Sequence, residues 1–252
     1  MEQKITVGDV YSYLDSIAPF DTQESWDNSG LLVGSREEPV CGVGTALEVT
    51  PEILRQAEER QLNLIVTHHP IIFHPAKAVL RGTVLWDAVR MGMNIICCHT
   101  PLDKADGGVN DTLARALGFE QVERDESGFL RVGAFDGIPA RELAALAGER
   151  LGADAVRCCG LNRPVYRAAV CSGAGASLMA DAKAFGCDAL ITGDAGHHDF
   201  LDAEEMGISL IAAGHYETEK LIAPVLRDRI QSQFPSLTVA ELEEMNPISV
   251  AR

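Results

Sequence analysis

Asn63-Leu64-Ile65-Val66-Thr67-His68-His69-Pro70 is the stretch whose reading decides the fold. Leu64, Ile65 and Val66 are aliphatic or β-branched without a polar break, the pattern of a short strand covered on both faces. Pro70 has no N–H to give a ladder, so the strand is expected to stop by His69. Two adjacent imidazoles are thereby delivered to the carboxyl end of a strand, where open α/β sheets place their ligand sites. A lone histidine there would read as a solvated strand end. A doublet, with further His and acid at other strand ends, reads as metal ligation.

Working outward, the flanks of this strand alternate helix and strand. Upstream, Gly42–Val49 reads as a strand, and Thr50-Pro51-Glu52 as the N-cap, N1 proline and first-turn acid of a helix through Glu59. Further upstream lie an amphipathic helix over residues 7–18 and a turn, Trp26-Asp27-Asn28-Ser29-Gly30, into a strand at Leu31–Gly34. Downstream, a helix over Val84–Met91 precedes the strand Asn94–His99, which again ends on histidine and continues as Thr100-Pro101-Leu102-Asp103. A helix over Val109–Leu117 follows, stopped by Gly118. The polar, partly acidic stretch 118–137 marks a lobe boundary. Beyond it come a helix (139–151), strands at 165–171, 189–192 and 209–212, and helices over 178–185, near Ala203 and over 220–230. Leu237-Thr238-Val239 is a possible edge strand.

Two segments repeat weakly. Ala88–Ile96 lines up with Ala203–Ile211, and Leu64–Thr67 with Ala189–Thr192. The expected fold is therefore α/β, with two similar lobes and mixed, mainly parallel sheets. The first lobe is placed at residues 1–122, completed by 223–252, and the second at 123–222.

Composition narrows the function. The 252 residues are 46% hydrophobic and carry a net charge of −16. That balance argues against a nucleic-acid partner or an anionic membrane surface, both of which need basic residues. No run reaches bilayer length, and the first ten residues lack a charged-then-apolar leader, so a cytoplasmic location is expected. The seven cysteines include two adjacent pairs but no C-x-x-C, which reads as reduced, buried thiols.

The third polar stretch is Gly214-His215-Tyr216-Glu217-Thr218-Glu219. On a helix, His215 and Glu219 stack on one face while Glu217 points elsewhere. Together His68, His69, Asp103, His215 and Glu219 supply three imidazoles and two carboxylates. A single zinc with an open position needs fewer. The set suits two divalent ions about 3.5–4 Å apart, with Asp103 placed to bridge. Mixed N/O ligation fits Zn, Mn, Fe, Co or Ni. Hydroxide held by such a pair is the expected nucleophile for a phosphoester, amide or ring C–N bond. His99 reads either as a catalytic proton carrier or as a histidine supporting the ligands. His197-His198, His74 and Lys77 are weaker candidates, and Gly107-Gly108 and Gly173-x-Gly175 read as turns. No G-x-S-x-G elbow is present, so covalent catalysis has no support.

His68-His69-Pro70, His99-Thr100-Pro101-Leu102-Asp103 and Gly214–Glu219, with Trp26–Gly34 near the start, resemble the Nif-three-like dinuclear metal centre proteins, also described as GTP cyclohydrolase I type 2 homologues. The resemblance spans nearly the whole chain. It implies two intertwined α/β lobes, a toroidal homohexamer with metal sites facing an internal cavity, and ligands at His68, His69, Asp103, His215 and Glu219. The chain is too short for the domain that many relatives insert at mid-chain. The leading expectation is a metal-dependent hydrolase of an unspecified small molecule. Its rival is a non-catalytic metal-binding scaffold, metallochaperone or regulatory protein.

Overall fold

The computed structural model describes residues 4–251. Its contacts divide into two compact units, one holding the chain up to Asp106 plus Ile222–Met245, the other Gly107–Leu221 and the residues from Asn246 on. The first begins with α1 (Val7–Ile17), β1 (Gly30–Val33), β2 (Val43–Ala46), α2 (Pro51–Glu59), β3 (Leu64–Thr67), α3 (Val84–Arg90), β4 (Asn94–Cys97) and the short α4 (Thr100–Lys104). The second holds α5 (Val109–Ala116), β5 (Glu123–Arg124), β6 (Arg131–Pro139), α6 (Ala140–Leu151), β7 (Arg157–Cys158) and β8 (Pro164–Val170). It continues through α7 (Met179–Ala184), β9 (Ala189–Thr192), α8 (His197–Met206), β10 (Ser209–Ala212) and α9 (His215–Glu219). The chain then returns to the first unit as α10 (Ile222–Gln233) and β11 (Val239–Glu241). Among the described residues no helix is long and apolar enough to cross a membrane.

Local chemistry sets several helix starts. Thr6 and Asp9 form a reciprocal capping box at α1. At α2 the Thr50 hydroxyl accepts from the Ile53 amide at 3.2 Å, with Pro51 behind it. Gly152 ends α6 at φ +65°, the left-handed cap that glycine adopts without strain.

The first sheet has the order β1-β4-β3-β2-β11, all pairings parallel except β1 with β4. Side chains alternate across it. Ala46, Ile65 and Ile95 face Ile53, Leu54 and Ala57 of α2 and Ala88 of α3, whereas the Thr45 hydroxyl points the other way and donates to the Ala223 carbonyl of α10 at 2.9 Å. The second sheet has the order β5-β6-β8-β9-β10-β7. Here β8-β9 and β9-β10 are parallel and the other three pairings are antiparallel, so this sheet too is mixed. Val170, Ile191 and Ile211 pack towards Leu113, Leu143 and Leu151, and Ala169, Leu190 and Leu210 towards Met179, Ala182 and Ala203.

The weak sequence repeat is a repeat of topology. β3-α3-β4 and β9-α8-β10 are each a β-α-β unit whose strands are adjacent and parallel. The units change over at Asp106/Gly107, ahead of 122/123, because Leu113, Ala114, Leu117 and Phe119 belong to the second unit's core. The polar stretch around residue 130 is part of the sheet, as β5 and β6. Its apolar residues Leu130 and Val132 are buried, and Arg131 between them is also buried.

That arginine is tolerated because Asp111 receives it. The Arg131 Nε donates to Asp111 Oδ1, Arg124 reaches the other carboxylate oxygen at 2.6 Å, and the Gly107 amide adds a bond at 2.6 Å. Burial raises the Asp111 carboxyl, but these donors outweigh it and hold the group below its ordinary value. Removing one partner of a buried pair strands the other. Asp111→Ala is therefore expected to lower unfolding stability at neutral pH by about 3 kcal/mol in denaturant titration. A depressed carboxyl stabilises above its unfolded pKa, and that stability is lost as pH falls through the folded one. The gap between wild type and variant should narrow below about pH 4.

Candidate metal centre

In the first unit, β3 and β4 run in parallel with Thr67 opposite Cys97, so the residues after each strand emerge at the same sheet end. His68 and His69 come from β3, and His99 from β4. One ring nitrogen from each of the three lies within 4.8 Å of the others. Asp103, on the first turns after β4, places Oδ1 3.6 Å from His68 Nε2. His68 is fully buried and Asp103 nearly so.

Each of these rings has its Nδ1 committed to an oxygen. His68 Nδ1 donates to the Cys98 carbonyl at 2.9 Å, His69 Nδ1 to Glu48 Oε1 at 3.1 Å, and His99 Nδ1 to Asp27 Oδ1 at 2.7 Å. These oxygens can only accept, so Nδ1 carries the hydrogen and, in the neutral ring, Nε2 carries a lone pair that can take a metal ion or a proton. Of the two carboxylates, Asp27 is itself held in place. Asp27 also accepts from the Asn28 and Thr100 amides and from the Ser29 and Thr100 hydroxyls. Burial pushes the Asp27 carboxyl up, but the His99 and Thr100 hydrogen bonds prevail and keep it well below the usual carboxylate range. The backbone of Glu48 is clamped by Glu244, which accepts from the Leu47 and Glu48 amides at 2.6 and 2.9 Å.

The second unit repeats the arrangement with different side chains. β9 and β10 are parallel with Thr192 opposite Ala212; Asp194 follows the first and His215 the second. The four-residue spacing on α9 brings His215 Nε2 to 3.0 Å from Glu219 Oε2, as the sequence pattern requires. Asp194 Oδ2 accepts from His215 Nδ1 at 2.6 Å. Thr218 anchors the helix, its hydroxyl accepting from the Gly173 amide at 3.1 Å. Gly173, at φ +55°, lies so close that a Cβ there would come within 2.2 Å of Glu219 Oε1. That glycine is a constraint of the site, beyond the turn its sequence context implied.

The donor sets fit divalent metal. His215 Nε2 faces a carboxylate, an approach that needs either a proton or a cation between two electron pairs. Imidazole nitrogens and carboxylate oxygens suit Zn, Mn, Fe, Co or Ni alike. His197, His198, His74 and Lys77 are exposed and join none of the metal-competent groups found among the described residues. All seven cysteines are free thiols. Burial drives Cys98 far above its ordinary value and Cys158 and Cys187 up to about 11, so they are inert packing groups.

Residues 5–247 match the family model described as Duf34/NIF3 (NGG1p interacting factor 3). The chain belongs to the DUF34/NIF3 family. A GTP cyclohydrolase 1 type 2 homolog of Clostridium perfringens is 30% identical over 243 residues, covering 91% of this chain and 93% of that protein. GTP cyclohydrolase 1 type 2 of Helicobacter pylori strain J99 is 34% identical over 249 residues, covering 97% and 98%. Among solved structures, Staphylococcus aureus hypothetical protein SA1388 superposes with a TM-score of 0.92 at 26% identity, covering 99% of this chain and all of that one. The Thermus thermophilus protein TTHA1606 gives 0.82 at 26%, covering 96% and 100%.

For this DUF34/NIF3 chain, the residues that sequence reasoning missed are those that aim the imidazoles: Asp27, Glu48 and Asp194. Removing a carboxylate that orients a ligand costs about 10–100-fold in metal affinity. Asp194→Ala is expected to weaken Zn²⁺ binding by that factor in competition with a chromogenic chelator, without loss of fold by circular dichroism. Gly173→Ala should do the same by displacing Glu219. Unchanged affinity in both variants would remove His215 and Glu219 from the ligand set.

Proposed function

We propose that this protein is a metal-dependent hydrolase that binds two divalent ions through His68, His69, Asp103, His215 and Glu219. The observation that carries the reading is a shared ring orientation: within each unit, every candidate imidazole sets its Nδ1 against an oxygen acceptor, and His68 and His215 turn Nε2 towards a candidate carboxylate ligand. Buried or half-buried histidines that merely fill space have no reason to share that orientation. The relatives named GTP cyclohydrolase 1 type 2 support the hydrolytic class.

When bound, the ions would acidify water and stabilise developing negative charge on the substrate. The remaining work falls to the protein. His99, held at Nδ1 by Asp27, takes a proton at Nε2 from the attacking water and returns it to the leaving group. Asp27 stays ionised throughout, because its donors stabilise the carboxylate, and it balances the imidazolium while that proton is held. The same reading carries a small-molecule substrate and a homohexameric assembly, the latter measurable by light scattering.

The test is metal content beside turnover. Wild type should bind two ions per chain by elemental analysis and hydrolyse at least one member of a phosphoester, cyclic amide and nucleotide panel on metal addition. Asp103→Ala should lose ion occupancy and at least about a hundredfold of that rate. Two tightly bound ions with no turnover across the panel would instead favour the non-catalytic scaffold. A rate that survives Asp103→Ala would assign the activity elsewhere.

A further inference from the structure

Beside His99 stand two large aromatic side chains that the metal site does not use. Trp26 is 56% exposed and Phe73 41%, although both side chains gain most from burial. Their ring centroids are 6.0 Å apart at an interplanar angle of 45°. Trp26 lies 6.0 Å and Phe73 6.1 Å from the His99 ring, each nearly edge-on to it. The three rings make a triangle with sides of about 6 Å, open to solvent at the indole and the phenyl.

The exposure is not looseness. Trp26 precedes Asp27, whose carboxylate side chain is fully buried and takes hydrogen bonds from Asn28, Ser29, His99 and Thr100. The loop carrying Phe73 is tied to the Trp26 loop by Asn28 Nδ2, which donates to the Ile72 carbonyl at 2.6 Å. The hydrogen-bond network that aims His99 therefore also holds the backbone from which the indole projects. Holding two aromatic faces in water costs apolar burial, and a pair fixed beside a reactive imidazole is the pattern of a ligand platform.

We propose that Trp26 and Phe73 form a stacking subsite that holds a planar heteroaromatic ring of the substrate against His99. The proposal rests on the hydrolase reading above and adds the two residues that would seat the ring and so select the substrate. Aromatic faces also attract ammonium cations. A cationic ligand here would stand next to the proposed divalent ions and be repelled by them, which leaves the neutral planar ring. Stacking on an indole is tolerant of ring identity, so the subsite selects a class of compound and not one base.

The chain has two tryptophans, Trp26 and Trp86, so the metal-loaded Trp86→Phe protein reports Trp26 alone. Adenosine, inosine and uridine are titrated against its emission, with ribose 5-phosphate and tetramethylammonium as controls. Saturable quenching by at least one nucleoside, and none by the controls, is expected. By equilibrium dialysis in the otherwise wild-type protein, Trp26→Ala and Phe73→Ala should each weaken nucleoside binding about tenfold, and Trp26→Phe should largely retain it. Quenching by the controls alone, or alanine variants that bind nucleoside as wild type does, would overturn the proposal. So would loss of the native assembly in Trp26→Ala by light scattering, which would assign the patch to a second copy of the chain. Metal content is measured on every sample. Two bound ions without nucleoside binding refutes the subsite alone, whereas nucleoside binding to a chain that takes up no metal refutes the hydrolase reading and leaves the subsite standing.

Discussion

Parallel pairing of neighbouring strands is the constraint on which everything else in this protein depends. Antiparallel neighbours would send His68 and His99 to opposite sheet ends. Parallel ones send both the same way, in step, because β3 and β4 pair from Leu64 with Asn94 to Thr67 with Cys97. β9 and β10 repeat the device from Ala189 with Ser209 to Thr192 with Ala212. In each unit the polar residues begin where the ladder stops, since only there are side chains released from the two-faced core. The fold thus supplies proximity before any particular side chain is chosen.

That division explains what could be read from the sequence. The capped helix Pro51–Glu59, the aliphatic strands Leu64–Thr67 and Asn94–Cys97, and the His215–Glu219 spacing are local patterns, and each stands where local chemistry put it. β6 was hidden because a buried arginine interrupts it, and Arg131 is acceptable only through Asp111, which is distant in sequence. Asp27, Glu48 and Asp194 were hidden for the same reason. Each lies 21 or more positions from the imidazole it orients. Gly173 read as a turn because the side chain it makes room for, Glu219, arrives from another element.

Asp27 shows how one buried carboxylate serves several ends. Left alone, its burial would favour the neutral acid. Five donors reverse that preference, and each fixes something useful: the Asn28 amide and Ser29 hydroxyl set the turn, the two Thr100 groups set the start of α4, and His99 Nδ1 sets a ring. α4 in turn carries Asp103. A candidate metal ligand, a candidate proton carrier and the exposed Trp26 are therefore positioned by a single ionised group. Such networks are cooperative, so neutralising Asp27 would disturb all three together.

Charge gives the last step. The proposed ligand set would offer two carboxylates, Asp103 and Glu219, against the four positive charges of two divalent ions. Asp27, Glu48 and Asp194 add three more negative charges one imidazole further out, each bonded to an Nδ1 hydrogen. A carboxylate there makes the Nε2 lone pair more basic and shares the cation's charge through the ring without occupying its coordination shell. With ligand sites taken by imidazoles and the negative charge held behind them, a divalent pair would be neutralised in large part and yet keep room for water and substrate. Direct ligation by all five carboxylates would leave less room for either. An arrangement of that kind would serve the proposed hydrolase, whose ions must admit water and substrate.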